Sequence, residues 1–206
     1  MDLLENKILV PRRSKEERAK NYNISTQKKI RQYIKDGGKG NLDLRNTPIT
    51  SLPNNFQVGR DLDLGNTSIT SLPNNLKVGR DLNLYNTPIT SLPNNLQLRG
   101  DLDLSNTKIT SLSDNLKVGG SLYLGGTQIT SLPNNLQVRG DLWLKKSKIT
   151  SLPDNLQVGG YLDLEDTPLS DKIKNSKWWY RNLKSKKEIK KMIEDKGGKV
   201  KGEIYI

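Results

Sequence analysis

Residues Asp61–Arg80 read DLDLGNTSITSLPNNLKVGR, and the chain restarts in the same way every twenty residues. Asn41–Arg60, Asp61–Arg80, Asp81–Gly100, Asp101–Gly120, Ser121–Gly140 and Asp141–Gly160 are six full copies, and a partial seventh runs from Tyr161 to Leu169. Six apolar positions recur. In the second copy they are Leu62, Leu64, Ile69, Leu72, Leu76 and Val78. Leu62 and Leu64 alternate as a short strand with one buried face does, whereas the later four are spaced as in a coil folding back over that face. Pro73, Asn74 and Asn75 punctuate the return, and Gly79 turns the chain toward the next strand. Twenty residues cannot enclose a core, so the copies must stack, with Leu62 beside Leu82 in a parallel sheet.

Composition sets the limits on chemistry. The 206 residues hold 34 Lys+Arg and 22 Asp+Glu, with no Cys and no His. Disulfides, thiol chemistry, Cys- or His-ligated metals and catalytic triads built on His are therefore excluded. Hydrophobic residues make up 33% and aromatics 5%, too few for a thick globular core but enough for a one-layer solenoid. No apolar run approaches the ~18 residues that span a bilayer. Met1–Val10 is too short and too charged for a signal peptide, so the expected location is the cytoplasm. The expected class is a binding protein without catalytic activity or cofactor.

The residues of the repeat resemble the leucine-rich repeat family. Leu62, Leu64, Thr67 and Ile69 match its L-x-L-x-x-N-x-L signature, with Thr in place of Asn. ITSLP (Ile69–Pro73) looks like the LTSLP of the short repeats in secreted bacterial ubiquitin ligases, and similar Thr-containing repeats occur in phage and bacterial proteins. The resemblance implies an α/β repeat solenoid, with a parallel sheet on the concave face, irregular and 3-10 turns on the convex face, and helical caps at both ends. It also implies protein binding on the concave face, in the host cytoplasm if the protein is phage-encoded. Two departures stand out. Gly59, Gly79, Arg99, Gly119, Arg139 and Gly159 replace the leucine that usually precedes the strand, and the ligases' catalytic Cys domain is absent.

Charge divides the chain further. Residues 1–40 hold 11 basic and 5 acidic side chains, residues 170–206 hold 12 and 5, and the middle holds 11 and 12. The expected organisation is a basic, partly mobile segment over 1–24, a helical cap over 25–40, repeats over 41–169, and a helical cap ending in a strand over 170–206. Ser25–Asp36 reads as a helix with Ile30, Tyr33 and Ile34 on one face, and Ser14–Glu17 starts another short one. Ser185 with Glu188 forms a capping box ahead of Ile189, Met192 and Ile193. KGEIYI (Lys201–Ile206) parallels the start of a copy, which makes Ile204 and Ile206 the apolar pair of one more rung.

Positions 1, 3 and 5 of each copy surround the outward side of the strand. Asp61, Asp63, Asp81, Asp101 and Asp103 make an acidic strip there, expected to be solvated and partly neutralised by Arg60 and Arg80. A flat ladder does not converge oxygens around an ion, so no metal site is expected. Tyr123 and Trp143 replace Asp or Asn on adjacent strands, with Tyr161 bordering them and Lys145 and Glu165 as a rim; Tyr85 and Asp163 complete the candidate protein-binding set. Exposed aromatics mark contact surfaces, the rival account being a cover formed by Trp178, Trp179 and Tyr180. Thr47, Thr67, Thr87, Thr107, Thr127 and Ser147 are expected to bond the backbone of the adjacent coil. Lys28, Lys29, Arg31, Lys184, Lys186, Lys187, Lys190 and Lys191 support an alternative, nucleic acid or another anionic surface, and a structural assembly subunit is a third reading.

Overall fold

The computed structural model describes residues 14–114, 116–175 and 182–206. Met1–Arg13 and Trp178–Tyr180 lie outside them, and so does the account in which those three aromatics cover the sheet. Seven two-residue strands, from Leu42–Asp43 to Leu162–Asp163, are joined by Ile204–Tyr205 in one eight-stranded parallel sheet that follows chain order. The register is constant: Leu42 pairs with Leu62, Leu62 with Leu82, and Leu162 with Ile204. At ~4.8 Å per strand the sheet is about 34 Å long. The added rung is the one that KGEIYI predicts.

The return limb is irregular, as expected, apart from one two-residue strand in each copy. Gln57–Val58 pairs with Lys77–Val78, and Gln97–Leu98, Lys117–Val118, Gln137–Val138, Gln157–Val158 and Lys199–Val200 form a second parallel ladder. Its cause is a second stretch of alternation, an exposed or half-exposed residue followed by a buried Val or Leu. The side chains of all six apolar positions fill the space between the limbs, with Leu92 and Leu112 alone among those positions partly exposed. Each fully buried aliphatic contributes about 1.5–3 kcal/mol.

Where the strand turns, Asn46, Asn66, Asn86 and Asn106 adopt left-handed backbone with φ between 52° and 58°. Asn tolerates this conformation better than most residues, and Gly126, Lys146 and Asp166 hold the same place in later copies. The next residue closes the turn: the Thr67 hydroxyl donates to the Leu64 carbonyl at 2.7 Å, and Thr87, Thr107 and Thr127 repeat the bond. The expected bond to the neighbouring coil is thus a bond within the same coil. Ser147 departs from the expectation altogether, since its buried hydroxyl has no partner among the described residues.

Rung junctions keep a glycine because successive rungs touch there. A Cβ on Gly79 would lie 2.0 Å from the Gly59 carbonyl oxygen, and one on Gly100 would lie 1.8 Å from Asp81 Oδ1. Where Arg99 and Arg139 take the first junction position, glycine takes the second.

Helix α1 spans Lys15–Lys35 without a break, so the helix expected to start at Ser14–Glu17 and the one expected over 25–36 are one. Ser14 and Glu17 form a reciprocal capping box at its start, and Gly37 and Gly38 end it with positive φ. Ile30 is buried and Tyr33 packs on Phe56 with ring centroids 6.4 Å apart, but Ile34 is 51% exposed. Among the described side chains of the helix, Thr26 and Ile30 are buried.

Helix α2, Pro168–Asn175, is a short addition after the last repeat, capped by reciprocal hydrogen bonds between Thr167 and Ser170. Helix α3 spans Asn182–Asp195, beginning before the expected Ser185 cap, and buries Ile189 and Ile193. Among the described residues no helix is long and apolar enough to cross a membrane.

Candidate functional site

The outward face of the main sheet carries three successive rows of side chains. Its first row is a ladder: Asp81 Oδ1 accepts the Asp101 N–H at 2.9 Å, Asp101 Oδ1 accepts that of Ser121 at 2.7 Å, and Asp141 Oδ1 accepts that of Tyr161 at 2.8 Å. In the second row each Asp or Asn folds back on its own turn. Asp63 Oδ1 accepts from Gly65 N at 2.9 Å, Asn83 from Tyr85 N at 2.8 Å, and Asp103 from Ser105 N at 2.8 Å.

The acidic strip is therefore half-buried and bound to backbone donors, not freely solvated. Arg80 pairs with Asp61 and Asp81, at 3.2 and 3.1 Å. Arg45, absent from the expected set, reaches Asp43 and Asp63 at 3.0 and 3.6 Å. These carboxylates raise the already high pKa of both guanidinium groups. Among the described residues no group of acidic side chains gathers to hold a metal ion.

Tyr123 and Trp143 occupy the second row, where the other copies fold an oxygen onto the turn. Neither ring carries an oxygen or amide in position to do this. They are in register on adjacent strands and stack with centroids 6.2 Å apart and planes 5° from parallel. Burial raises the Tyr123 phenol pKa, and the Trp143 indole Nε1 is buried with no partner among the described residues.

Tyr161 is 44% exposed, but its ring contact is with Tyr205, at 5.9 Å and 59° between planes. Tyr205 belongs in the candidate set and was missed. Its signal was present, because aligning KGEIYI with a repeat puts Tyr205 in the same row as Tyr123 and Trp143. Asp163 lies between them in register with both Trp143 and Tyr205, and is 5% exposed where an open surface position is expected. Burial raises its pKa, against the opposing hydrogen bond from the Glu165 N–H at 2.8 Å. Lys145 and Glu165 form an ion pair beside it, and Tyr85 stands apart at 40% exposure, four strands away from Asp163.

The basic candidates separate into two groups. Lys28, Lys29, Arg31 and Lys35 are exposed on α1 and, with Gln32, line a shallow hollow; Lys29 also donates to the Asp43 carbonyl. Lys187, Lys190 and Lys191 are exposed on α3, and Lys184 lies in its first turn. Lys186 instead turns onto the sheet, with Nζ 5.4 Å from the Tyr205 ring centroid and 3.9 Å from Glu203.

No family model and no curated protein matches the chain. A solved structure described as a Shigella effector leucine-rich-repeat domain is 16% identical, with a TM-score of 0.45, over 94% of this chain and 98% of that one. The architecture rests on the chain's own geometry: a constant register, a strand opening every copy, and the same apolar positions buried in each. The fold is a leucine-rich-repeat solenoid. In the second outward row of this solenoid, Tyr123, Trp143 and Tyr205 replace the Asp or Asn that Asp43, Asp63, Asn83, Asp103 and Asp163 supply in the other rungs.

Proposed function

We propose that this leucine-rich-repeat solenoid is a non-catalytic protein-binding module whose contact face is built from Tyr123, Trp143, Lys145, Tyr161, Asp163 and Glu165, with Tyr85 as an outlying aromatic two strands from Tyr123. The observation that supports this is the Tyr123–Trp143 stack. Two copies place aromatic rings on the outward face where an Asp or Asn would complete the turn, and a structural residue has no reason to be exchanged there for two large rings. Such rings offer contact area at small entropic cost, and each good anchor contributes ~2 kcal/mol or more to a complex. The resemblance of the repeats to phage and bacterial proteins supports an accessory role acting on a host or cellular protein in the cytoplasm.

The test is Trp143→Ala. Partner captured from the native cell should bind this variant at least tenfold more weakly, with unfolding unchanged. A loss of several kcal/mol in stability would make the ring part of the core and remove the binding face.

A second reading is supported by the hollow lined by Lys28, Lys29, Arg31 and Lys35, which suits an anionic surface such as nucleic acid. Binding to duplex DNA would then weaken with salt by about −0.9 in log K per log salt for each phosphate neutralised. Reversing Lys28, Arg31 and Lys35 to Glu should abolish it.

A further inference from the structure

Asp163 is a carboxylate placed between aromatic neighbours. Its strand pairs with Trp143 on one side and Tyr205 on the other, and 95% of its surface is covered, since it is 5% exposed. One oxygen keeps the hydrogen bond from the Glu165 N–H. Among the described residues Asp163 has no ion pair. Lys145 acts on it electrostatically but is paired with Glu165. A carboxylate that has lost water without an ion pair of its own is costly, and the cost falls when a further cation arrives.

The flanks favour the same visitor. An aromatic ring carries its negative quadrupole on its face, so Trp143, Tyr123, Tyr161 and Tyr205 attract cations and do nothing to neutralise Asp163. Their rings supply no set of oxygens around a point, which argues for an organic cation over a metal ion. The chain itself provides an example: Lys186 lays its ammonium 5.4 Å from the Tyr205 ring centroid, near Glu203. Asp141 and Glu203, one row across, extend the negative potential along the patch.

We infer that this face receives an arginine or lysine side chain from an extended segment of the protein partner, seated against the Trp143 and Tyr205 rings that flank the buried Asp163 carboxylate. Arginine fits better, because a flat guanidinium stacks on a ring more readily than an ammonium does. The inference rests on the protein-binding reading above and names the chemistry that the partner must carry.

The probe is a short peptide, Gly-Gly-Arg-Gly-Gly-Arg-Gly-Gly with blocked ends, beside the same peptide with citrulline for arginine, which removes the charge and keeps the shape. Each is titrated into the full chain while the tryptophan indole and backbone amide signals are followed by NMR. The arginine peptide should shift the signals of Trp143, Asp163 and Tyr205 saturably, and the citrulline peptide should bind at least tenfold more weakly. Asp163→Asn should weaken the arginine peptide about five- to tenfold, the scale of one partly desolvated cation contact. Its fold should persist, because Asn83 makes the same turn bond with an amide oxygen.

Equal binding of both peptides, shifts confined to Asp101 and Asp103, or no saturable shift would overturn the inference. The captured partner separates this failure from that of the broader reading. If Trp143→Ala weakens the partner but Asp163→Asn does not, the cation is wrong and the binding face stands. If neither does, both fall.

Discussion

Asp101 and Ser121 stand at the same place in successive rungs, and the Asp101 carboxylate accepts the Ser121 backbone N–H at 2.7 Å. Ser121 passes the arrangement on, its hydroxyl oxygen accepting the Asp141 N–H at 3.0 Å. A residue type that suggests surface charge therefore has a prior structural duty. It satisfies the backbone donor that opens the next strand, which a two-residue strand leaves without a ladder partner.

Asp101→Ala should accordingly cost about 1 kcal/mol, the usual worth of a backbone hydrogen bond, while Asp101→Asn should be nearly neutral because its amide oxygen replaces the carboxylate. Urea denaturation of both variants decides the matter. Equal effects from the two would show that the charge, not the acceptor, matters at this position.

The repeat made most of the fold legible before any coordinates. Six apolar positions, the stacking direction and the last rung all follow from periodicity, because burial selects residue type at each of them. The continuous helix α1 was harder to see, since Asn21–Ser25 looks like punctuation and the capping box at Ser14 suggests a separate start. At the site, Trp143 and Tyr123 were visible as exceptions to the pattern. The burial of Asp163 was not, because its strand neighbour Tyr205 joins the row only after a helical insertion.

Ser147→Thr should stabilise the protein. Thr127 and Thr167, in the same place in the flanking copies, donate to the carbonyl three residues back at 2.7 Å, whereas the Ser147 hydroxyl is buried without a partner. The methyl group of Thr restricts χ1 and favours the bonded rotamer. A gain of about 1 kcal/mol is expected from satisfying the hydroxyl, measured by thermal or urea unfolding. A loss would mean that the methyl does not fit beside Leu144.

Lys146 has φ of 61°, in a turn where four earlier copies place Asn. Lys gains nothing from this conformation, and its side chain is exposed. Lys146→Asn or Lys146→Gly should therefore raise stability by about 0.5–1 kcal/mol through relief of backbone strain. If both variants are less stable than wild type, the side chain is making a contact worth more than the strain.

Removing residues 200–206 should be severely destabilising. Val200 and Ile204 are buried, and the backbone of Glu203 and Tyr205 accepts from Leu162 and Leu164 at 2.9 and 2.7 Å. Without this rung the last coil loses its cover, and at about 1.5–3 kcal/mol per buried aliphatic the truncated chain should melt many degrees lower. An unchanged melting temperature would show that the final strand contributes nothing to the solenoid.

Asp163→Asn offers a test of the site that needs no partner. Burial raises the Asp163 pKa, so the folded chain takes up this proton at a higher pH than the unfolded chain does. The resulting contribution to stability is complete below the ordinary Asp pKa of about 3.9 and disappears as pH rises through the raised folded value. Above that value wild type carries a buried, ionised carboxylate that the Asn variant lacks, while both keep the oxygen that accepts from Glu165 N. Asp43, held below the usual range by Arg45 in spite of its partial burial, titrates alike in the two proteins and drops out of the comparison. Melting temperatures measured from pH 3 to pH 7 should show the variant more stable at neutral pH, with the difference closing as the solution is acidified. A less stable variant at pH 7 would mean that the carboxylate is already neutralised, and a gap that persists at pH 3 would mean that its charge is not the cause; either outcome removes the case for a visiting cation.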